Sequence, residues 1–110
     1  METLLTEMGV RLAERRKQRK LTQEQLAEMA STTTQTISTA ETGRKALRPE
    51  NILKLCQALE ISPDYLLLGT ISDADIALLS EKVKQLTPGQ YRHLEEIIDH
   101  YIAAINEREA

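Results

Sequence analysis

An all-helical chain is predicted by three observations. Gly and Pro are scarce, at four and three residues of 110, while good helix formers (Leu, Ala, Glu, Gln and Lys) abound. Apolar residues recur at spacings of three and four rather than two. Helix-start signals repeat: T-x-x-Q boxes run from Thr22 to Gln25 and from Thr87 to Gln90, and Pro49 and Pro88 suit the first turn of a helix. No strand, internal repeat or low-complexity tail is expected.

The elements follow in order. A first helix is expected from about Thr6 to Arg19, with Met8 and Leu12 inward and the cationic RRKQRK run favouring its C-terminal dipole. Lys20 and Leu21 leave room only for a tight connection. Thr22 caps a second helix whose buried face is expected to hold Leu26, Met29 and Ala30. The next stretch, STTTQTISTAETG, is poor in helix propensity, because Ser and Thr compete for their own backbone groups. It nevertheless has a cap in Thr33, an i, i+3 apolar stripe in Ile37 and Ala40, and a stop in Gly43, which predicts a short helix over 34–42 that depends on packing. After the basic loop GRKALRP comes a helix carrying Ile52, Leu55, Cys56 and Leu59. Ser62-Pro63-Asp64 opens a fifth helix that ends at Gly69. Thr70 to Ser72 form a junction, so residues 1–69 are expected to make one domain and residues 70–110 a helical hairpin. Its first helix, capped by Ser72, carries Ile76, Leu79, Val83 and Leu86. Its second, capped at Thr87, carries Tyr91, Leu94, Ile98, Tyr101 and Ile105 at spacings of 3, 4, 3 and 4, a seam that Ile97 and Ile102 widen.

Composition restricts the function. The chain lacks Phe and Trp, so its core is aliphatic. The single Cys56 excludes an internal disulfide, fits a reducing cytosol, and is expected to be core rather than a redox sensor. No apolar run is long enough to span a bilayer and the N-terminus lacks signal-peptide order, so a cytoplasmic location is expected. There is no nucleophile–base arrangement, paired-carboxylate cleft or phosphate-cradling Gly loop, so neither an enzyme nor a cofactor is expected. His93, Glu96 and His100 could share a helix face, but their spacing is loose for a metal site and no Cys is near.

The net charge of −3 averages two unlike parts. Residues 11–50 hold nine Lys/Arg and five Asp/Glu, a local excess of +4, whereas residues 70–110 hold four and eight, a local −4. Local field governs attraction to a polyanion more than total charge does.

Two short helices joined by a tight turn, the second followed by a basic loop, describe a helix-turn-helix. The ordered set LTQEQLAEMA, TTTQTISTAETG and ILKLCQALEISPDYLL resembles the Cro and phage-repressor type of helix-turn-helix (XRE family) regulators over residues 8–69. The resemblance implies five helices around one core and a second motif helix that enters the major groove of double-stranded DNA. It implies that Gln23 bonds a phosphate and braces the recognition helix. It places Thr34, Gln35 and Thr39 at base edges, Thr33 and Ser38 near phosphates, and Arg44, Lys45 and Arg48 along the DNA backbone or minor groove. Arg16 and Glu41 match a buried ion pair. The residue chemistry agrees, since Gln pairs with adenine N6 and N7 and Thr offers both a hydroxyl and a methyl. Each of these polar residues also has a plain reading as solvated surface, and Arg11 and Arg16 as structural groups.

Three positions depart from the family pattern: Ser31 stands where Gly is usual in the turn, Arg15 where Leu is common, and Ala40 where a bulkier apolar residue is common. The function implied is a dimeric repressor of a pseudo-palindromic operator, with Tyr91, Leu94, Ile98, Tyr101 and Ile105 as the dimer seam. The hairpin could instead fold back on its own domain. The alternative function is an antitoxin whose hairpin binds a toxin and whose helix-turn-helix autoregulates the operon. A third reading is an interaction module that has lost DNA binding.

Overall fold

Helix α1 spans Glu2–Gln18, α2 Gln23–Met29, α3 Thr34–Glu41, α4 Pro49–Leu59, α5 Pro63–Leu68, α6 Asp73–Val83 and α7 Pro88–Glu109. The structure is a computed structural model that describes residues 2–109, with side chains for residues 4–108, and it contains no strand among the described residues. Helix α1 begins earlier than Thr6, and the extra turn brings Leu5 against the core. Four of the expected side-chain caps form, while at Ser72 the hydroxyl instead donates to the Asp75 carboxylate at 3.3 Å. Thr22 and Gln25 bond reciprocally, Thr33 Oγ1 accepts from the Thr36 N–H, Ser62 Oγ accepts from the Tyr65 N–H, and Thr87 and Gln90 repeat the reciprocal pair at the start of α7. Gly43 and Gly69 take left-handed φ values of 72° and 77° after α3 and α5.

The chain divides into two compact units, residues 1–78 and 79–110. In the first, α1 packs on α3 and α5, α2 on α3 and α4, and α4 on α5. Leu12, Leu26, Ile37, Leu55, Leu59 and Leu66 are fully enclosed, and the smaller Ala27, Ala30, Ala40 and Cys56 fill between them. Met29 does not join them. It is 55% exposed and Ala27 takes its inward place, because the buried arc runs from Leu26 through Ala30 to Ala27, and at about 100° per residue Met29 falls outside it, on the far side of Leu26.

The departures at Arg15 and Ala40 have local causes. Arg15 donates from Nε to the Leu59 carbonyl at 2.9 Å and from Nη2 to the Glu60 carbonyl at 3.4 Å, so a guanidinium closes the end of α4. Arg11 does the same for α5, reaching the Leu66 and Leu67 carbonyls at 2.9 and 3.0 Å. Ala40 is small because α1 lies directly against α3. A Cβ on Gly9 would stand 2.4 Å from the Ala40 carbonyl oxygen and 2.6 Å from that of Glu41. Close backbone approach fills the space that a bulkier residue 40 would need.

The first unit runs past the junction expected after Gly69, as far as Leu78. Asp75 ties this extension to α5: its carboxylate accepts from the Ser62 N–H at 2.8 Å and the Ser62 hydroxyl at 2.5 Å, and from the Ser72 N–H at 3.0 Å. Burial pushes the Asp75 carboxyl up, but the Ser62 and Ser72 hydrogen bonds outweigh it and hold the group below the usual carboxylate range.

In the second unit Val83, Leu86, Leu94 and Ile105 are half-buried, while Tyr91, Ile97, Ile98, Tyr101 and Ile102 of α7 are exposed. Ile76 and Leu79 of α6 also stay exposed, each at 57%.

Candidate nucleic-acid interface

Helix α3 is held at both ends and along one side. At its start, the turn from α2 passes through Ser31 at φ 53°, the left-handed conformation that the usual Gly would adopt without strain. The Thr32 N–H donates to the Ala27 carbonyl at 2.9 Å and closes that turn. Along its side, Ile37 and Ala40 are buried against α1 and α2.

At its end, Glu41 is gripped by three donors from two helices. Arg16 Nε reaches Glu41 Oε2 at 2.7 Å, Arg16 Nη2 reaches Oε1 at 3.1 Å, and Gln23 Nε2 reaches Oε1 at 3.0 Å. Arg16 Nη1 also donates to the Leu21 carbonyl at 2.8 Å, so one guanidinium secures both the entry to α2 and the exit of α3. Both charges are enclosed, with side chains 12% and 8% exposed. The hydrogen bond to Glu41 raises the Arg16 pKa against the opposing effect of burial. A two-pronged pair of this kind fixes orientation as well as distance. Gln23 therefore braces α3 through Glu41 with one N–H of its amide.

The opposite face of α3 is open. Gln35 is exposed, and Thr34, Ser38 and Thr39 are half-exposed. Among the described residues, the side chains of Thr34, Gln35 and Ser38 form no hydrogen bond. Gly43 then turns the chain, the Arg44 N–H returns to the Thr39 carbonyl at 3.0 Å, and buried Leu47 anchors the loop. Arg44, Lys45 and Arg48 are left exposed around that anchor.

A notch of about 200 Å³ lies between this loop and α3. Gln35 and Thr39 line it from the helix, and Lys45 and Arg48 from the loop. Four sequence-predicted site residues are thus brought together. Thr33, Thr34, Ser38 and Arg44 lie on the same segment but not in the notch, and Gln23 faces Glu41. Two polar lining residues escaped the sequence reading. Thr36 follows Thr33 by three residues and its hydroxyl meets that of Thr33 at 2.8 Å. Asn51 sits in the first turn of α4, where its N–H bonds the Arg48 carbonyl at 2.9 Å. A polar residue one turn after a basic loop was the available signal. The only carboxylate on α3 is Glu41, neutralised by Arg16, so the open face of the helix is uncharged and the cations beside it come from the loop.

No group of three or more His, Cys, Asp or Glu among the described residues is placed to hold a metal. No described helix is long and apolar enough to cross a membrane. Cys56 is buried, and burial first, with the nearby Asp75 charge second, pushes its thiol up to about 11, the condition of an inert core cysteine.

Residues 12–66 match the helix-turn-helix family model. Over 70 residues the chain is 40% identical to repressor protein C2 of Salmonella phage P22, covering 64% of this chain and 32% of that protein, so the present chain spans about a third of that repressor. The crystal structure of the P22 c2 repressor in complex with synthetic operator 9T is 41% identical, with a TM-score of 0.56 over 57% of this chain and 96% of that one. The restriction-modification controller protein C.AhdI from Aeromonas hydrophila is 37% identical, with a TM-score of 0.55 over 56% of this chain and 94% of that one. The braced α2–α3 pair, the open face of α3 and these likenesses agree, and the chain belongs to the Cro and phage-repressor type of helix-turn-helix regulators.

Proposed function

We propose that the protein is a sequence-specific double-stranded DNA-binding transcriptional repressor that places α3 in the major groove. One observation carries this reading: Gln35 and Thr39 share a notch with Lys45 and Arg48, so groups able to address base edges stand beside cations able to address the phosphates that flank them. The P22 repressor, similar over this same region, has been solved with operator DNA. Arg44 extends the cationic edge. Thr33, Thr34 and Ser38 contribute from the first half of the helix, and Gln23 contributes by holding Glu41 in place.

A single recognition helix covers only one half-site. We propose that the second unit supplies the other copy, through the α7 seam of Tyr91, Leu94, Ile98, Tyr101 and Ile105. The exposed apolar surface of Tyr91, Ile98 and Tyr101 supports that assembly. The operator is then a pseudo-palindrome with half-site centres about one DNA turn apart, or a multiple of it.

Selection of bound sequences from a random DNA pool, followed by Gln35→Ala on the selected site, tests the reading. A two-fold symmetric consensus is expected, with Gln35→Ala costing about 1–3 kcal/mol and relaxing one base position per half-site. Equal losses on operator and random DNA would move Gln35 to a backbone role. Failure to select any sequence would overturn base reading by α3.

A further inference from the structure

The threonines of α3 differ in what they leave free. Thr39 Oγ1 donates to the Gln35 carbonyl at 3.0 Å and lies 3.2 Å from the Thr36 carbonyl. A threonine hydroxyl carries one proton, and here that proton is committed to the preceding turn of the same helix. The oxygen lies back against the helix wall, between two carbonyls. With its proton turned back on the helix, the side chain has the γ-methyl as its apolar group to offer a ligand. Thr39 nevertheless lines the notch shared by Gln35, Lys45 and Arg48, one helical turn beyond Gln35 on the same face.

We infer that Thr39 reads a thymine, by packing its methyl group on the thymine C5-methyl, and does not act as a hydrogen-bond donor to a base. The inference deepens the proposed major-groove function and rests on it. The guanine N7 and O6 edge and the thymine O4 are acceptors and require a donor that Thr39 has already used. Thymine alone among the four bases presents a methyl group in the major groove. Lys45 and Arg48, on the far wall of the notch, are placed to hold the phosphates. Burying one methyl group is worth about a fourfold change in affinity, enough to set a preference at one base pair.

The test uses the full chain and the operator selected with it. Each thymine is replaced singly by deoxyuracil, which deletes the C5-methyl and keeps every hydrogen-bonding edge. One position per half-site should lose about fourfold in affinity for the wild-type protein. Thr39→Val keeps a methyl and removes the hydroxyl, so it should keep that sensitivity. Thr39→Ser keeps the hydroxyl and removes the methyl, so it should bind thymine and uracil sites alike. A selected operator at which no uracil replacement weakens the wild-type protein overturns the inference while leaving the DNA-binding reading intact. So does a sensitivity that survives in Thr39→Ser and vanishes in Thr39→Val. Failure to select any operator overturns both. A uracil series without effect on the unaltered protein overturns the inference even if a variant folds poorly.

Discussion

Glu41 is the side chain on which the geometry of the interface most depends. Its carboxylate satisfies two donors of Arg16 and one of Gln23 in an enclosed setting. Removing it leaves a buried guanidinium without a counter-charge, so Glu41→Ala should destabilise the fold by about 3–5 kcal/mol, against less than about 1 for an exposed pair. Urea unfolding measures this, and an unchanged midpoint would show that the pair contributes nothing. Asp75 acts through pH. Its folded pKa lies below the ordinary value, so its bonds to Ser62 and Ser72 stabilise the protein above the unfolded pKa, about 4, and lose that effect as pH falls through the lower folded value. Wild-type protein should therefore melt higher than Asp75→Ala at neutral pH. The gap should close as pH drops below about 4. A gap independent of pH would remove the charge from the explanation.

Helix α3 is made largely of residues that disfavour helices, and neighbouring elements hold it. Its cap and stop are local and legible: Thr33 and Gly43 stand where the sequence places them. Its bracing is not local. Gly9 gives no sign in sequence of lying under the Ala40 and Glu41 carbonyls, yet that contact sets how closely α1 and α3 pack. Gly9→Ala should gain helix propensity by about 1 kcal/mol in α1. It should still destabilise the protein overall, because the new Cβ meets backbone that cannot rotate away; overpacking of this kind costs about 1–3 kcal/mol and often more. Thermal melting decides the sign, and a stabilised variant would show that α1 can move off α3 freely. The cationic end of α1 has the same lesson. Arg15 reads as surface charge in sequence and Arg11 as a structural group of unknown target, but the guanidinium groups of Arg11 and Arg15 close the carbonyl ends of α5 and α4.

The two units invite separate tests. The first, to Leu78, retains Asp75 and its bonds to Ser62, so a fragment of residues 1–78 should fold and be more stable than one ending at Gly69. That fragment lacks the α7 seam and should be monomeric. Full-length protein should sediment as a dimer, and Ile98→Asp should dissociate it without unfolding the first unit, since an unpaired charge is costly in an apolar contact. Sedimentation of the three proteins at one concentration distinguishes these outcomes. Monomeric full-length protein would remove the seam from the assembly and leave each half-site bound singly.

The sequence by itself determined the helical class, most of the caps, the stops and the helix-turn-helix segment, because these depend on residues within one or two turns of each other. Thr22 with Gln25, Thr33 before Ile37, and Gly43 after the helix are signals of that range. The linked motifs even placed Arg16 near Glu41, through family resemblance rather than spacing. Other features were decided only by tertiary structure: the exposure of Met29, the engagement of Gln23 by Glu41, the inclusion of Asp75 in the first unit, and the enclosure of Gly9 against α3. Each depends on the distance and angle at which separate helices meet. Helix periodicity states which face turns inward, but not how near the next backbone lies or which distant carbonyl a long side chain reaches.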